Sequence, residues 1–310
     1  VWHLHHSLPP GLISVSRRGW ILFTSLALLW GTPYLFIRVA VEYVEPSVLV
    51  GLRVALAGLL LLPIALSRKE LRPALKYWRW IVVFAFVEIA IPFLMLGYAE
   101  QRLSSSVTAL VIAGVPILAA ILARALGLDP NLRGMRIVGL AVGITGVATL
   151  VGLDVQGTQY FGVAAALITV TGYALGPIII TLRLSGAPSL GVITIALLIN
   201  SVVYAPFVWL QWPSQPVAAS AWWSIVALGV LCTAIAFVLL FALIAEVGPA
   251  RTTVITFINP AVAVLLGVVI LSEPITLGIL VGFPLVILGS YLATRPDKNP
   301  AASIEDAPHA

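Results

Sequence analysis

Residues 80–100 read WIVVFAFVEIAIPFLMLGYAE. This run is long enough to cross a bilayer as a helix, which takes about 20 mostly apolar residues. Its interior carries one ionisable side chain, Glu88. Nine further segments of the same kind flank it, near residues 19–41, 46–66, 104–126, 134–152, 161–183, 188–210, 222–246, 249–271 and 276–294. The joints carry turn chemistry: Glu45-Pro46, Asp129-Pro130, Gly186-Ala187-Pro188, Gly248-Pro249 and Glu273-Pro274. A proline there stops one helix and opens the next. The expected fold is therefore an all-α integral membrane protein of ten transmembrane helices.

Composition agrees. Of 310 residues, 61% are hydrophobic and 9% charged, against roughly 25% charged in soluble domains. That leaves too little polar surface for a globule in water. The formal charge of +5 does not imply a nucleic-acid partner, because basic residues gathered on one membrane face account for it. With the N-terminus inside, fourteen of the seventeen Lys and Arg residues fall on the cytoplasmic side, Arg102 alone lies opposite, and Arg38 and Arg53 fall within spans. Cytoplasmic loops collect basic residues in this way, so both termini are expected in the cytoplasm. Trp20, Trp78, Trp80, Trp209, Trp212, Trp222 and Trp223 sit at predicted helix ends, where amphipathic rings favour the interface.

The chain repeats itself. Trp30-Gly31 corresponds to Thr171-Gly172, Pro46-Ser47 to Pro188-Ser189, Ala99-Glu100 to Ala245-Glu246, Pro116 to Pro260, and Asp129-Pro130 to Glu273-Pro274. Gly134, Gly139 and Gly146 correspond to Gly278, Gly282 and Gly289. Each half has five segments. Five is odd, so the second half enters the membrane from the opposite face, giving two inverted five-helix repeats, a construction common among secondary transporters.

These features together resemble the drug/metabolite transporter superfamily, EamA type, over roughly residues 17 to 295. They are the five-plus-five repeat, Trp-Gly in the first helix, and an acid-Pro turn before a Gly-rich last helix in each half. The resemblance implies two EamA-type repeats at 17–152 and 153–295. Residues 1–16, with His3, His5 and His6, are set apart as an added or disordered N-terminus, and 296–310 as a disordered cytoplasmic tail. It also implies a bacterial inner-membrane carrier that exports small metabolites, the aromatic amino acid exporters being the branch most similar in appearance. The central cavity would lie between helices 1, 3, 4, 6, 8 and 9, with helices 5 and 10 as scaffold. Thr171 in place of a second Trp departs from the pattern, so the halves are not expected to line a cavity alike.

Candidate cavity residues are Trp30, Tyr34, Glu88, Tyr98, Tyr173, Thr256 and Asn259. Glu88 lies about 12 Å into its helix, where an ionisable group is costly and by default functional. Two readings stand side by side. Glu88 contacts a substrate amine or takes up a coupling proton, or it pairs with Arg53, which lies about 10 Å into the second helix from the other face. Arg38 has Glu42 four residues on and is read as a local pair. The aromatics offer flat apolar faces with a polar handle, as a small-molecule cavity needs, although Tyr98 near a helix end also fits an interfacial belt. Pro260 frees the Thr256 carbonyl, and Asn259 stands beside it. Either a substrate uses these two groups, or Asn259 satisfies neighbouring backbone. Pro33, Pro92, Pro116, Pro177 and Pro260 are hinge candidates. Small-residue faces at Gly139, Gly143, Gly278 and Gly282 suit close helix packing.

Other classes fit poorly. All four histidines are terminal and no Asp falls within a predicted span, which removes His-based catalysis, His-ligated metal and an intramembrane aspartate pair. The single Cys232 excludes a disulfide framework. No enzyme, cofactor or metal is expected. The reading is a secondary transporter of amino acids or similar metabolites working by alternating access, its partners being that small molecule and membrane lipid. A carrier of drugs, nucleosides or sugar phosphates is the alternative, and a membrane sensor or scaffold the more distant one. Monomer and homodimer both stay open.

Overall fold

The computed structural model describes residues 16–128, 134–248, 252 and 254–294. The expectations for the remaining terminal residues, and for the Asp129-Pro130 turn, lie outside the described residues. Among the described residues, ten apolar helices form the body: α1 Arg17–Ala40, α2 Pro46–Ser67, α3 Trp78–Glu100, α4 Ser105–Ala125, α5 Met135–Asp154, α6 Gln159–Leu184, α7 Ser189–Leu210, α8 Ala219–Val247, α9 Ile255–Leu271 and α10 Leu277–Ala293. The first eight are long and apolar enough to cross a membrane, and α9 and α10 are shorter. Each of these two rises about 25 Å at 1.5 Å per residue, against a hydrocarbon core of about 30 Å. A short helix, Leu71–Leu75, lies in the basic connection between α2 and α3. Large apolar side chains face outward, Trp209, Leu210 and Val202 of α7 being at least three-quarters exposed. In water such a surface would drive aggregation, and lipid is its natural solvent.

Helices α5 and α10 are equivalent in the two repeats, and they pack against each other along their lengths. Gly139 meets Leu292 and Ala293, Gly143 meets Gly289, Gly146 meets Leu285 and Val286, and Gly282 meets Leu150. Rising numbers on α5 face falling numbers on α10, so the pair is antiparallel and the repeats are inverted. A Cβ at Gly146 would stand 2.8 Å from Leu285 Cβ and 2.7 Å from the Val286 nitrogen, so only hydrogen fits. Both ends of the seam are tied. Asp154 accepts from the Thr276 hydroxyl and from Gly278 N (3.3 Å), and Arg136 Nε donates to the Ala293 carbonyl (3.1 Å). The fifth helix thus runs to Asp154, two residues beyond its expected end. An aspartate does close a span, and it caps the helix N-terminus facing it. A second equivalent pair, α2 and α7, is also antiparallel, with Gly51 against Tyr204 and Val208 and Gly58 against Leu197 and Leu198.

Several helices are broken where they meet. α1 is interrupted at Thr32, and Pro33 opens its second segment. α4 is interrupted at Ala113 and Gly114 ahead of Pro116. α3 and α8 each contain a six-residue π turn, Ala85–Ala90 and Val230–Ile235. Counted back from the corresponding Glu100 and Glu246, the two turns occupy the same place to within one residue. The α3 turn runs into Pro92, and Pro177 precedes a third π turn that ends α6, Ile180–Leu184. Pro260 lies within α9 without interrupting it. Ser16, assigned above to the added or disordered N-terminus, instead caps α1. Its Oγ accepts from Gly19 N (2.9 Å) and donates to Glu246 (2.6 Å).

The seam carries a direct test. Gly289→Leu is expected to cost at least about 1–3 kcal/mol through overpacking, read as a lowered midpoint of thermal unfolding in detergent. Gly152→Ala, where an added Cβ meets nothing within 4 Å, should leave the midpoint unchanged.

Candidate functional site

The π turn of α3 projects Glu88 toward α6. Gly176 makes the approach possible, because a side chain there would overlap the Glu88 carboxylate. Glu88 Oε2 is fully buried and has no hydrogen-bond partner among the described residues. Polar atoms in that condition are rare and need a reason.

Arg53 of α2 is 6% exposed. Its Nε donates to Thr233 Oγ1 in the α8 π turn (2.9 Å), and its guanidinium lies over the Phe93 ring, 3.9 Å from the centroid. No carboxylate oxygen of the described residues comes within 4.0 Å of it. The Arg53–Glu88 ion pair weighed from the sequence is therefore not formed. The rise along each helix gave a depth for the two groups but not the direction each faces. Tyr173 of α6 lies within electrostatic reach of both charged groups and packs against both large core clusters. Tyr34, buried on the second segment of α1, is in turn an electrostatic neighbour of Tyr173 and Glu100. Cys232 Sγ stands 3.3 Å from Thr32 Oγ1, joining the α1 interruption to the α8 turn. Tyr173 thus neighbours Glu88, Arg53 and Tyr34, and the α3 and α8 turns carry Glu88 and the Thr233 that holds Arg53.

The other candidates fall elsewhere. Trp30 is half-buried and meets Phe237 edge-on (6.2 Å, 79°) beside the cluster of Leu26, Ala27, Leu243 and Ile255, so it packs α1 on α8 and does not serve an interfacial belt. The Asn259 amide, its nitrogen assigned from the acceptors around it, reaches the carbonyls of Ala27 (3.2 Å) and Ile255 (3.1 Å), in line with the backbone-satisfying reading. Thr256 is half-buried one turn before Pro260 on the same helix. Tyr98 meets Phe161 edge-on at 6.4 Å, about 15 Å along α3 from Glu88. Thr171 is exposed and bonds back to the Leu167 carbonyl (2.9 Å), so the position equivalent to Trp30 faces outward.

Backbone groups around the breaks are satisfied by neighbours. Asn200 and Tyr204 of α7 donate to the carbonyls of Ala85 and Ala90 at the two ends of the α3 turn, each at 2.9 Å. Thr169 of α6 donates to the Pro92 carbonyl (3.1 Å), and Thr233 donates to Leu228 (2.8 Å). None of these partners stood out in the sequence. A π turn has no composition signature, so only the intramembrane charges of Glu88 and Arg53 pointed to this cluster.

A second polar group lies at the far end of α3. Glu273 accepts four hydrogen bonds at the N-terminus of α4, from the backbone and hydroxyl of Ser105 (2.7 and 2.9 Å) and of Ser106 (3.0 and 2.5 Å). The acid-Pro turn of one repeat thus caps a helix of the other. Beside it lies a polar hollow of about 330 Å3, lined among others by Arg38, Glu42, Gln101, Arg102 and Glu273. Arg38 approaches Glu42 (3.9 Å), as expected, and also donates to the Glu100 carbonyl (2.6 Å). Glu100 itself is fully buried, with no hydrogen bond of normal geometry to either carboxylate oxygen. The nearby Thr108 hydroxyl donates to the Ser104 carbonyl instead.

Residues 17–152 and 160–295 each match the model of the EamA-like transporter family. Over 91% of this chain and 94% of its own length, YedA of Escherichia coli (strain K12), an uncharacterized inner membrane transporter, is 30% identical. The uncharacterized transporter YvbV of Bacillus subtilis (strain 168) is 23% identical over 91% of this chain and 93% of its own. An uncharacterized transporter of Archaeoglobus fulgidus is 25% identical over 90% and 99%. A crystal structure at 24% identity matches with a TM-score of 0.65, covering 91% of this chain and 98% of that one, and so shares the fold.

The carboxylate cap of α4 has a measurable weight. Glu273→Ala is expected to lower stability by about 1–3 kcal/mol, since four donors lose one acceptor group. Glu273→Gln, which keeps an acceptor oxygen, should recover part of that loss in the same thermal unfolding measurement.

Proposed function

Since the chain belongs to the EamA-like transporter family, and is therefore a multi-pass membrane transporter of the drug/metabolite type and not an enzyme, we propose that it exports amino acids or similar small metabolites across a bacterial inner membrane by alternating access. The observation that carries this reading is Glu88. A carboxylate within a span, with one oxygen buried and unpartnered, has a use for a ligand amine or a proton. Tyr173 is a charge neighbour of Glu88 and Tyr34 of Tyr173, and they supply the flat faces and hydroxyls that suit a small amphipathic substrate. In this reading Asn259, Thr256 and Trp30 serve the helix packing around α1, and Tyr98 lies toward the outer end of α3.

Location and orientation follow from related arguments. YedA bears the name of an inner membrane transporter. The basic residues Arg17, Arg18, Arg68, Lys69, Arg72, Lys76 and Arg79 at one end of the helices favour cytoplasmic termini. The inverted repeats, joined along the α5–α10 seam and broken at Pro33, Pro92, Pro116 and Pro177, supply halves that can rock around a midplane site. The two repeats are assigned to residues 17–152 and 153–295. Export rather than uptake rests on the resemblance to amino acid exporters, and a proton taken up on Glu88 is the coupling ion considered.

Counterflow uptake of radiolabelled amino acids into proteoliposomes tests the proposal. Saturable uptake of some members is expected, reduced at least tenfold by Glu88→Gln with folded protein retained. Folded wild-type protein that moves no amino acid would sink the substrate assignment and turn the panel to drugs, nucleosides and sugar phosphates.

A further inference from the structure

Arg53 is the eighth residue of α2, about 10 Å from its Pro46 end, and its burial puts a permanent positive charge inside a span. A guanidinium has five N–H donors. Among the described residues one is used, Nε to Thr233 Oγ1 at 2.9 Å. The Phe93 ring covers one face. The other groups within electrostatic reach, Tyr173 and Cys232, are a phenol and a thiol, not counter-anions. A buried cation without an anion is strongly unfavourable. The two Nη groups that remain form the edge that accepts a carboxylate through two parallel hydrogen bonds. Thr233 and Phe93 fix the plane of that edge from α8 and α3, so the fork is held in place before any ligand arrives.

We propose that Arg53 is the anion-recognition residue of the transport site, binding a substrate carboxylate through its Nη edge while Glu88 receives the substrate ammonium. The cation and the anion are not paired with each other, and Tyr173 lies within reach of both. Two opposite charges left unpaired in a low-dielectric interior suit a small molecule that carries both an anionic and a cationic group. This assigns the substrate class as small molecules carrying both a carboxylate and an amine, amino acids among them, with the carboxylate on α2 and the amine on α3. The inference rests on the location of the site in the proposed function, but it concerns binding and can be tested without transport.

Purified full-length protein in nanodiscs is titrated calorimetrically with three probes: L-phenylalanine, 3-phenylpropionate, which lacks the amine, and phenethylamine, which lacks the carboxylate. Arg53→Gln is expected to weaken 3-phenylpropionate and phenylalanine at least tenfold and to leave phenethylamine within about twofold. Glu88→Gln should do the reverse, weakening phenethylamine and sparing 3-phenylpropionate. Arg53→Lys, which keeps the charge and loses the fork, should fall between wild type and Arg53→Gln. Should Arg53→Gln not fold, wild-type protein decides alone, since 3-phenylpropionate must outbind its uncharged amide, 3-phenylpropionamide, at least tenfold. Equal binding of acid and amide, no binding of 3-phenylpropionate at millimolar concentration, or an Arg53→Gln protein that binds it as wild type does, overturns the assignment. Retained 3-phenylpropionate binding without amino acid counterflow supports the anion site and counts against the transport reading.

Discussion

A helix that breaks inside lipid must hand each freed backbone group to a neighbour, because no water is there to take it. The site of this protein is organised by that requirement. The α3 π turn can exist because Asn200 and Tyr204 reach across from α7 to its two end carbonyls, and because Thr169 of α6 takes the Pro92 carbonyl. The α8 turn holds itself, with Thr233 bonding to Leu228 and then accepting from Arg53. One hydroxyl therefore serves both the backbone and the charged group. The result is a pair of bulged helices, related by the repeat, whose irregular turns face the same interior space. Ionisable side chains were placed there without leaving main-chain groups unsatisfied.

Much of this was legible in the sequence, and the boundary of legibility is physical. Spans show because burial in lipid demands about 20 apolar residues in a row. Inversion shows because five is odd. The glycines of α5 and α10 announced close packing, though not that they pack on each other, since a small residue does not name its partner. The acid-Pro turn was visible as a motif, but its work, a carboxylate of one repeat capping Ser105 and Ser106 of the other, depends on contacts 167 and 168 residues apart along the chain. Asn259 illustrates the same limit. Its neighbour Pro260 suggested a freed carbonyl lining a cavity, yet the amide end stands against the α1 backbone carbonyl of Ala27 (3.2 Å). Glu88 and Arg53 could be seen as misplaced charges, and their depths could be estimated from helical rise. Their failure to pair could not, because a π turn rotates every side chain that follows it and leaves no trace in composition.

The scaffold is symmetric and its charges are not. The position equivalent to Arg53 is Ile195 and that equivalent to Glu88 is Ala234. Both ionisable groups belong to the first repeat, and the second contributes Tyr173, Thr233 and Cys232. An inverted pair of halves with identical linings would present the same chemistry to a substrate in either of two opposed poses. Concentrating the charge on α2 and α3 removes that degeneracy.

The glycine seam has a consequence for how such a protein can change over generations. At Gly139, Gly146 and Gly289 the facing helix lies so near that no single replacement fits, and accommodating one would mean moving two helices together. A change at any one of them has to be matched on the facing helix in the same step. Arg53, Glu88, Tyr34 and Tyr173 carry no such restriction, since each contributes a terminal group and not a backbone contact. A lineage built on this frame can retire one ligand and acquire another by successive exchanges at the interior while its spine stays frozen.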